Sequence, residues 1–79
     1  MPSKAVASPS HLALGETLRA ERKRAGYKNA EAFARYCGLD RSYYSAVERG
    51  RFNVTLGVLL KIADGLDSSV GALCSKAQI

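Results

Sequence analysis

Residues Gly38 to Gly50 read GLDRSYYSAVERG. Asp40 is of a residue type that caps helix N-termini, and Gly50 is of the type that ends them. The stretch between, Arg41 to Arg49, is therefore expected to be a helix. Upstream, Asn29 is a second cap, with Ala30, Phe33, Ala34 and Cys37 forming an apolar side that stops at Gly38. Only Gly38, Leu39 and Asp40 separate the two helices. A joint this short containing glycine builds a helix-turn-helix unit.

Working outward, helix one is expected from Ser10 or His11 to Ala25, with Leu14 and Leu18 turned inward. Arg19, Arg22, Lys23 and Arg24 load its last turns, where cations suit the helix dipole. Thr55 caps a fourth helix from Leu56 to about Asp64. Leu56, Leu59, Leu60 and Ala63 share one face and Val58 and Ile62 another, so this helix is expected to be the buried centre. Ser69 caps a short fifth helix, Val70 to about Ser75, beyond which the chain is expected to fray. Gly26, Gly38, Gly50 and Gly65 each follow helical spacing and read as C-caps. Pro2, Pro9 and three serines make residues 1–10 read as a flexible arm ahead of a domain at 11–79. No proline follows Pro9 and no period-2 alternation is present, so sheets are disfavoured. The expected fold class is all-α: a compact five-helix bundle with helices two and three as the helix-turn-helix.

The chain has 79 residues, twelve Lys and Arg against seven Asp and Glu, and a formal charge of +5. That length holds one small domain. No apolar run reaches the ~18 residues of a membrane span, and the first residues lack the apolar stretch of a secretory signal, so none is expected. Two cysteines and one histidine cannot supply the roughly four ligands of a closed zinc site. Cys37 and Cys74 read as reduced, packed thiols, with a disulfide, including one between subunits, as the alternative. No Ser-His-Asp or paired-carboxylate constellation can be drawn, so no enzyme and no cofactor is expected. The surplus of positive charge points to an anionic partner.

Helix three has a face suited to such a partner. At about 100° per residue, Arg41, Ser42, Ser45, Ala46 and Arg49 fall on one side. Tyr44, Val47 and Glu48 fall opposite, with Tyr43 at the margin. A helix entering a groove about 12 Å wide needs small residues where it lies closest to the bases. Arg41, in the first turn, can reach a base edge, and Arg pairs bidentately with guanine O6 and N7. Asp40 is the expected partner fixing its guanidinium.

GLDRSYYSAVERG resembles the second half of the helix-turn-helix in the lambda-repressor-like family of phage repressors, Cro proteins and xenobiotic-response-element type regulators. RFNVTLGVLLKIADGLDSSVGAL is similar to that family's fourth and fifth helices, and LGETLRAERKRAGY to its first. Within the family, the segment through NVTL looks most like restriction-modification controller proteins. The resemblance implies base contacts for Arg41 and Ser42, with Ser45 and Ala46 on the same face, Ala46 toward a thymine methyl. It implies sugar-phosphate contacts for Arg49 and Asn53, a contact with the backbone or with DNA shape for Tyr43, and an internal ion pair between Arg22 and Glu48; Arg51, just beyond the same face of helix three, is a further expected backbone contact. The family usually begins helix two with Thr or Ser followed by Gln, which grips a phosphate. Here the pair is Asn29-Ala30, and Ala30 cannot make that contact, so Lys28 and Asn29 are the candidates to replace it. Ser68 stands where an apolar residue is common, which is expected to loosen helix five.

The resulting expectation is a sequence-specific regulator that binds double-stranded DNA at a near-palindromic operator as a homodimer through the major groove. It is expected to be cytoplasmic and nucleoid-associated in a bacterium or phage host, with no membrane association and no small-molecule ligand. A repressor role is included. The competing reading is an antitoxin-like or adaptor protein that mainly binds a protein partner. A basic membrane-surface peptide fits poorly, because helix one offers only Leu12, Leu14 and Leu18 as large apolar residues.

Overall fold

Ser8 and Pro9 begin the first helix. The Ser8 hydroxyl accepts the His11 backbone N–H, and Pro9 occupies the first turn, where its missing N–H costs nothing. The computed structural model describes residues 8–51 and 53–79. Residues 8–10 of the expected arm therefore belong to the helix and its cap, and residues 1–7 lie outside the described part. Five helices follow in order: α1 Pro9–Arg24, α2 Ala30–Cys37, α3 Arg41–Glu48, α4 Leu56–Gly65 and α5 Val70–Ala77. There is no strand among the described residues.

Each later helix starts at a side chain that accepts a backbone N–H three residues on. Asn29 takes that of Ala32, Asp40 that of Tyr43, Thr55 that of Val58 and Ser69 that of Ala72. Each such cap is worth about 1 kcal/mol. Gly38 ends α2 with φ +75°, a conformation that costs other L-residues roughly 1–2 kcal/mol. Its left-handed turn sends Leu39 N–H back to the Ala34 carbonyl at 2.8 Å, and the chain enters α3 two residues later.

α1 packs across α3 and α5, while α2 packs on α3 and α4. Leu14, Leu18, Phe33, Ala34, Tyr44, Val47, Leu59, Ile62, Ala63 and Leu73 form one core. Three rings run through it. Tyr27 meets Phe33 edge-on at 5.1 Å, and Phe33 meets Tyr44 at 5.4 Å. Gly15 lets α1 cross α3: a Cβ there would sit 2.2 Å from the Glu48 carbonyl oxygen. The described part measures 36 × 25 × 20 Å.

Three expectations change. Gly65 does not cap α4; Asp67 takes the left-handed conformation instead, φ +55°. Gly65 is needed for space, since a Cβ there would lie 2.7 Å from Cys37 Sγ. α4 is not buried all round. Leu59, Ile62 and Ala63 face inward, while Leu56 and Leu60 are 65% and 53% exposed. An eight-to-ten-residue helix at the edge of a bundle this small has neighbours on one side only. Finally, α5 runs on to Ala77, which is buried, rather than fraying after Ser75.

Candidate nucleic-acid interface

The α2–α3 joint presents α3 with its first turn outward. Arg41 and Ser42 are exposed, Ser45 is half-buried, and Arg49 is exposed just past the helix end. Together with Ala30 and Glu31 of α2 they line an open cleft between the two helices. A second cleft beside it is lined by Arg19, Arg22, Ala30, Ser45, Glu48 and Arg49. The opposite side of α3, Tyr44 and Val47, is buried in the core. α3 thus offers a cationic, hydroxyl-bearing strip backed by a rigid apolar one.

Individual side chains are held in particular ways. Arg49 donates to Ser45 Oγ at 3.1 Å, so the two form one polar unit. Arg41 pairs with Glu31 at 3.5 Å, and Glu31 also holds Arg35 at 3.2 Å. Asp40 is not the partner of Arg41, because its carboxylate accepts the Tyr43 N–H as the α3 cap. Sequence spacing makes the Glu31–Arg35 pair visible, four residues apart on one helix. It cannot show Glu31 reaching Arg41 across the joint.

Ala46 departs from its expected place. It is only 4% exposed, so its methyl does not open onto the groove-facing strip. The chain folds back at this point, with Arg51 N–H donating to the Ala46 carbonyl at 2.9 Å. A one-carbon side chain is easily covered there. Arg51 and Asn53 are exposed beyond the turn, and Lys28 is exposed before α2. Asn29 has its side-chain oxygen committed to the α2 cap, which leaves its amide N–H groups as donors. Tyr43 is half-buried at the margin of the strip.

Behind the strip lies a buried ion pair. Arg22 Nε donates to Glu48 Oε2 at 2.7 Å and Nη2 to Oε1 at 3.2 Å. Arg22 Nη1 also donates to the Tyr27 carbonyl at 2.8 Å. The two side chains are 5% and 7% exposed. Hydrogen bonding to Glu48 raises the Arg22 pKa, outweighing the opposing effect of burial. One guanidinium thereby ties α1, α3 and the approach to α2 together. The buried Tyr44 hydroxyl nearby makes no hydrogen bond of ordinary geometry with a described residue. Burial, with the Glu48 carboxylate adding to it, pushes that phenol pKa well up.

His11 also makes side-chain hydrogen bonds. Its partners are Ser8 Oγ at Nδ1 and, across 42 residues of chain, Asn53 Oδ1 at Nε2, 2.7 Å away. No local signal marks this contact, because it depends on how α1 lies over the turn after α3.

An eight-residue helix carried on a rigid α2, with arginines at both ends and hydroxyls between, has the size and chemistry to enter a major groove. The helix-turn-helix (HTH_3) family model matches residues 18–73, from within α1 to within α5. The chain belongs to that family. This helix-turn-helix protein is thus of the lambda-repressor-like type, a family of DNA-binding transcription regulators. It is 41% identical over 61 residues to the control protein C.MunI of a Mycoplasma species, covering 77% of this chain and 82% of that relative. Its fold is similar to the restriction-modification controller protein C.AhdI from Aeromonas hydrophila. The TM-score is 0.79 and the identity 39%, over 84% of this chain and 98% of the other. It is also similar to the clp gene regulator ClgR from C. glutamicum, with TM-score 0.82, identity 29% and 95% of each chain covered.

Proposed function

We propose that this helix-turn-helix protein is a sequence-specific transcription regulator of the controller type, binding a near-palindromic double-stranded DNA operator as a homodimer. The observation that carries this reading is the α3 strip, with Arg41 and Ser42 outward, Ser45 bonded to Arg49, and the opposite side locked in the core. Arg41 reads a guanine through O6 and N7, exchanging its contact with Glu31 for the base. Ser42 and Ser45 meet adjacent base edges. Arg49, Arg51, Asn53, Tyr43, Lys28 and Asn29 meet the sugar-phosphate backbone, which sets register and supplies the salt-dependent part of the affinity. The relatives named as a control protein, a restriction-modification controller protein and a clp gene regulator support this reading.

A domain this small reads only a few base pairs, so a second copy supplies length and affinity. Exposed Leu56 and Leu60, four apart on α4, are the apolar residues assigned to that contact. The test is selection of binding sites from random DNA, with wild-type protein and with Arg41→Ala. The wild type should enrich an inverted repeat. Arg41→Ala should lose about 1–3 kcal/mol of discrimination at one G·C position in each half. Unchanged affinity and preference in that variant would remove α3 from the groove.

A further inference from the structure

We propose that His11 is a positioning residue for DNA binding: it holds the Asn53 carboxamide with its NH2 group turned outward to a phosphate. This rests on the reading of Asn53 as a backbone contact. The first turn of α1 is pressed onto the turn after α3. Gly50 has φ +73°, and a Cβ there would come within 2.9 Å of Leu12 Cδ2 and 3.1 Å of the Leu12 Cα. His11, next to Leu12, is therefore fixed beside the segment leading to Asn53.

The hydrogen-bond chain has a direction. Ser8 Oγ accepts the His11 backbone N–H at 3.2 Å. Asn53 Oδ1, the atom that faces His11 Nε2, can only accept, so Nε2 is the donor nitrogen and Nδ1 takes a proton from Ser8 Oγ, 2.5 Å away. A neutral imidazole has one donor and one acceptor nitrogen. With Nδ1 accepting, Nε2 carries the proton and donates it to Asn53 Oδ1 at 2.7 Å. The tautomer is set by the partner at the other ring nitrogen. The Asn53 oxygen is then turned toward the ring, and its two N–H donors remain on an exposed residue. The opposite tautomer would seat the amide nitrogen on the ring and aim the carbonyl oxygen at the phosphate, which would repel it. Ser8 and His11 thus decide whether Asn53 attracts or repels the backbone. The group they orient is an uncharged carboxamide.

Two measurements test this. Nitrogen NMR of the full-length protein should show His11 as the Nε2–H tautomer; the Nδ1–H tautomer would overturn the proposal whether or not DNA binds. Fluorescence anisotropy should then compare His11→Ala, Asn53→Ala, the double variant and His11→Gln with wild type. The probes are a duplex carrying the wild-type selected site and a random-sequence duplex. Each alanine variant should weaken binding to both duplexes about fivefold, the worth of one hydrogen bond of about 1 kcal/mol. The double variant should be no weaker than either. His11→Gln, which keeps an N–H toward Asn53, should recover most of the loss. The salt slope should stay at the wild-type value, because a neutral amide releases no counterion. Wild-type affinity in His11→Ala beside a loss in Asn53→Ala would overturn the proposal, as would losses that multiply. A shallower salt slope in His11→Ala would assign His11 itself to the phosphate. A wild type that binds neither duplex would remove the DNA reading along with this one.

Discussion

Arg22 shows how much one residue can settle. Three of its N–H groups serve two carboxylate oxygens on α3 and one carbonyl before α2. The pair therefore has a polarity. A carboxylate at position 22 would face the Tyr27 carbonyl oxygen, which can only accept. Glu48→Ala should cost about 3–5 kcal/mol by leaving a buried guanidinium partly unpaired. Arg22→Glu combined with Glu48→Arg should recover only part of that, measured by urea denaturation; full recovery would show that the Tyr27 contact contributes nothing. The residues of this pair are legible in the chain by their likeness to a family pattern. The Tyr27 contact is not, since it depends on a backbone atom in a turn. Ala46 marks the other limit of reading at this scale. Its angle around the helix places it near the strip, but it is buried, and a helical projection contains no information about neighbouring segments.

At the scale of elements, the starts of α2 to α5 were readable from Asn29, Asp40, Thr55 and Ser69 because capping involves residues only three apart. The start of α1 was concealed by composition: Ser8-Pro9 is a cap followed by a first-turn proline, in a stretch whose serines and prolines also suit an arm. Glycines mislead in a similar way. Gly38 serves through its backbone angles, whereas Gly15 and Gly65 serve by having no side chain where helices cross. Sequence alone does not separate those uses. The difference predicts opposite outcomes for one substitution. Gly15→Ala drives a methyl into the backbone oxygens of Val47 and Glu48 and should cost about 1–3 kcal/mol. Gly71→Ala, with open space around it on α5, should stabilise by about 0.5–1 kcal/mol through helix propensity. Paired thermal melts decide the matter. Equal shifts would mean that α1 and α3 are not in contact through Gly15.

For the whole molecule, the five-helix arrangement was legible because four of the five helices carry a legible start signal and because no β pattern competes. The exposed side of α4 was not, because an apolar side chain looks the same in sequence whether it faces a core or another copy. If Leu56 and Leu60 join two copies, Leu60→Glu should leave the melting temperature of the isolated domain near wild type while shifting sedimentation from dimer to monomer. A variant that remains dimeric would move the contact elsewhere. The dimensions of the bundle then gain a meaning. Recognition helices on successive turns of one DNA face lie about 34 Å apart, and the domain spans 36 Å along its longest axis and 25 Å along the next. Two copies in direct contact can bridge that interval with no linker between them. The body of the protein would then serve as the ruler for its own operator. Five extra base pairs between the half-sites would turn one of them to the far side of the duplex, beyond the reach of a second copy that has no slack to follow it.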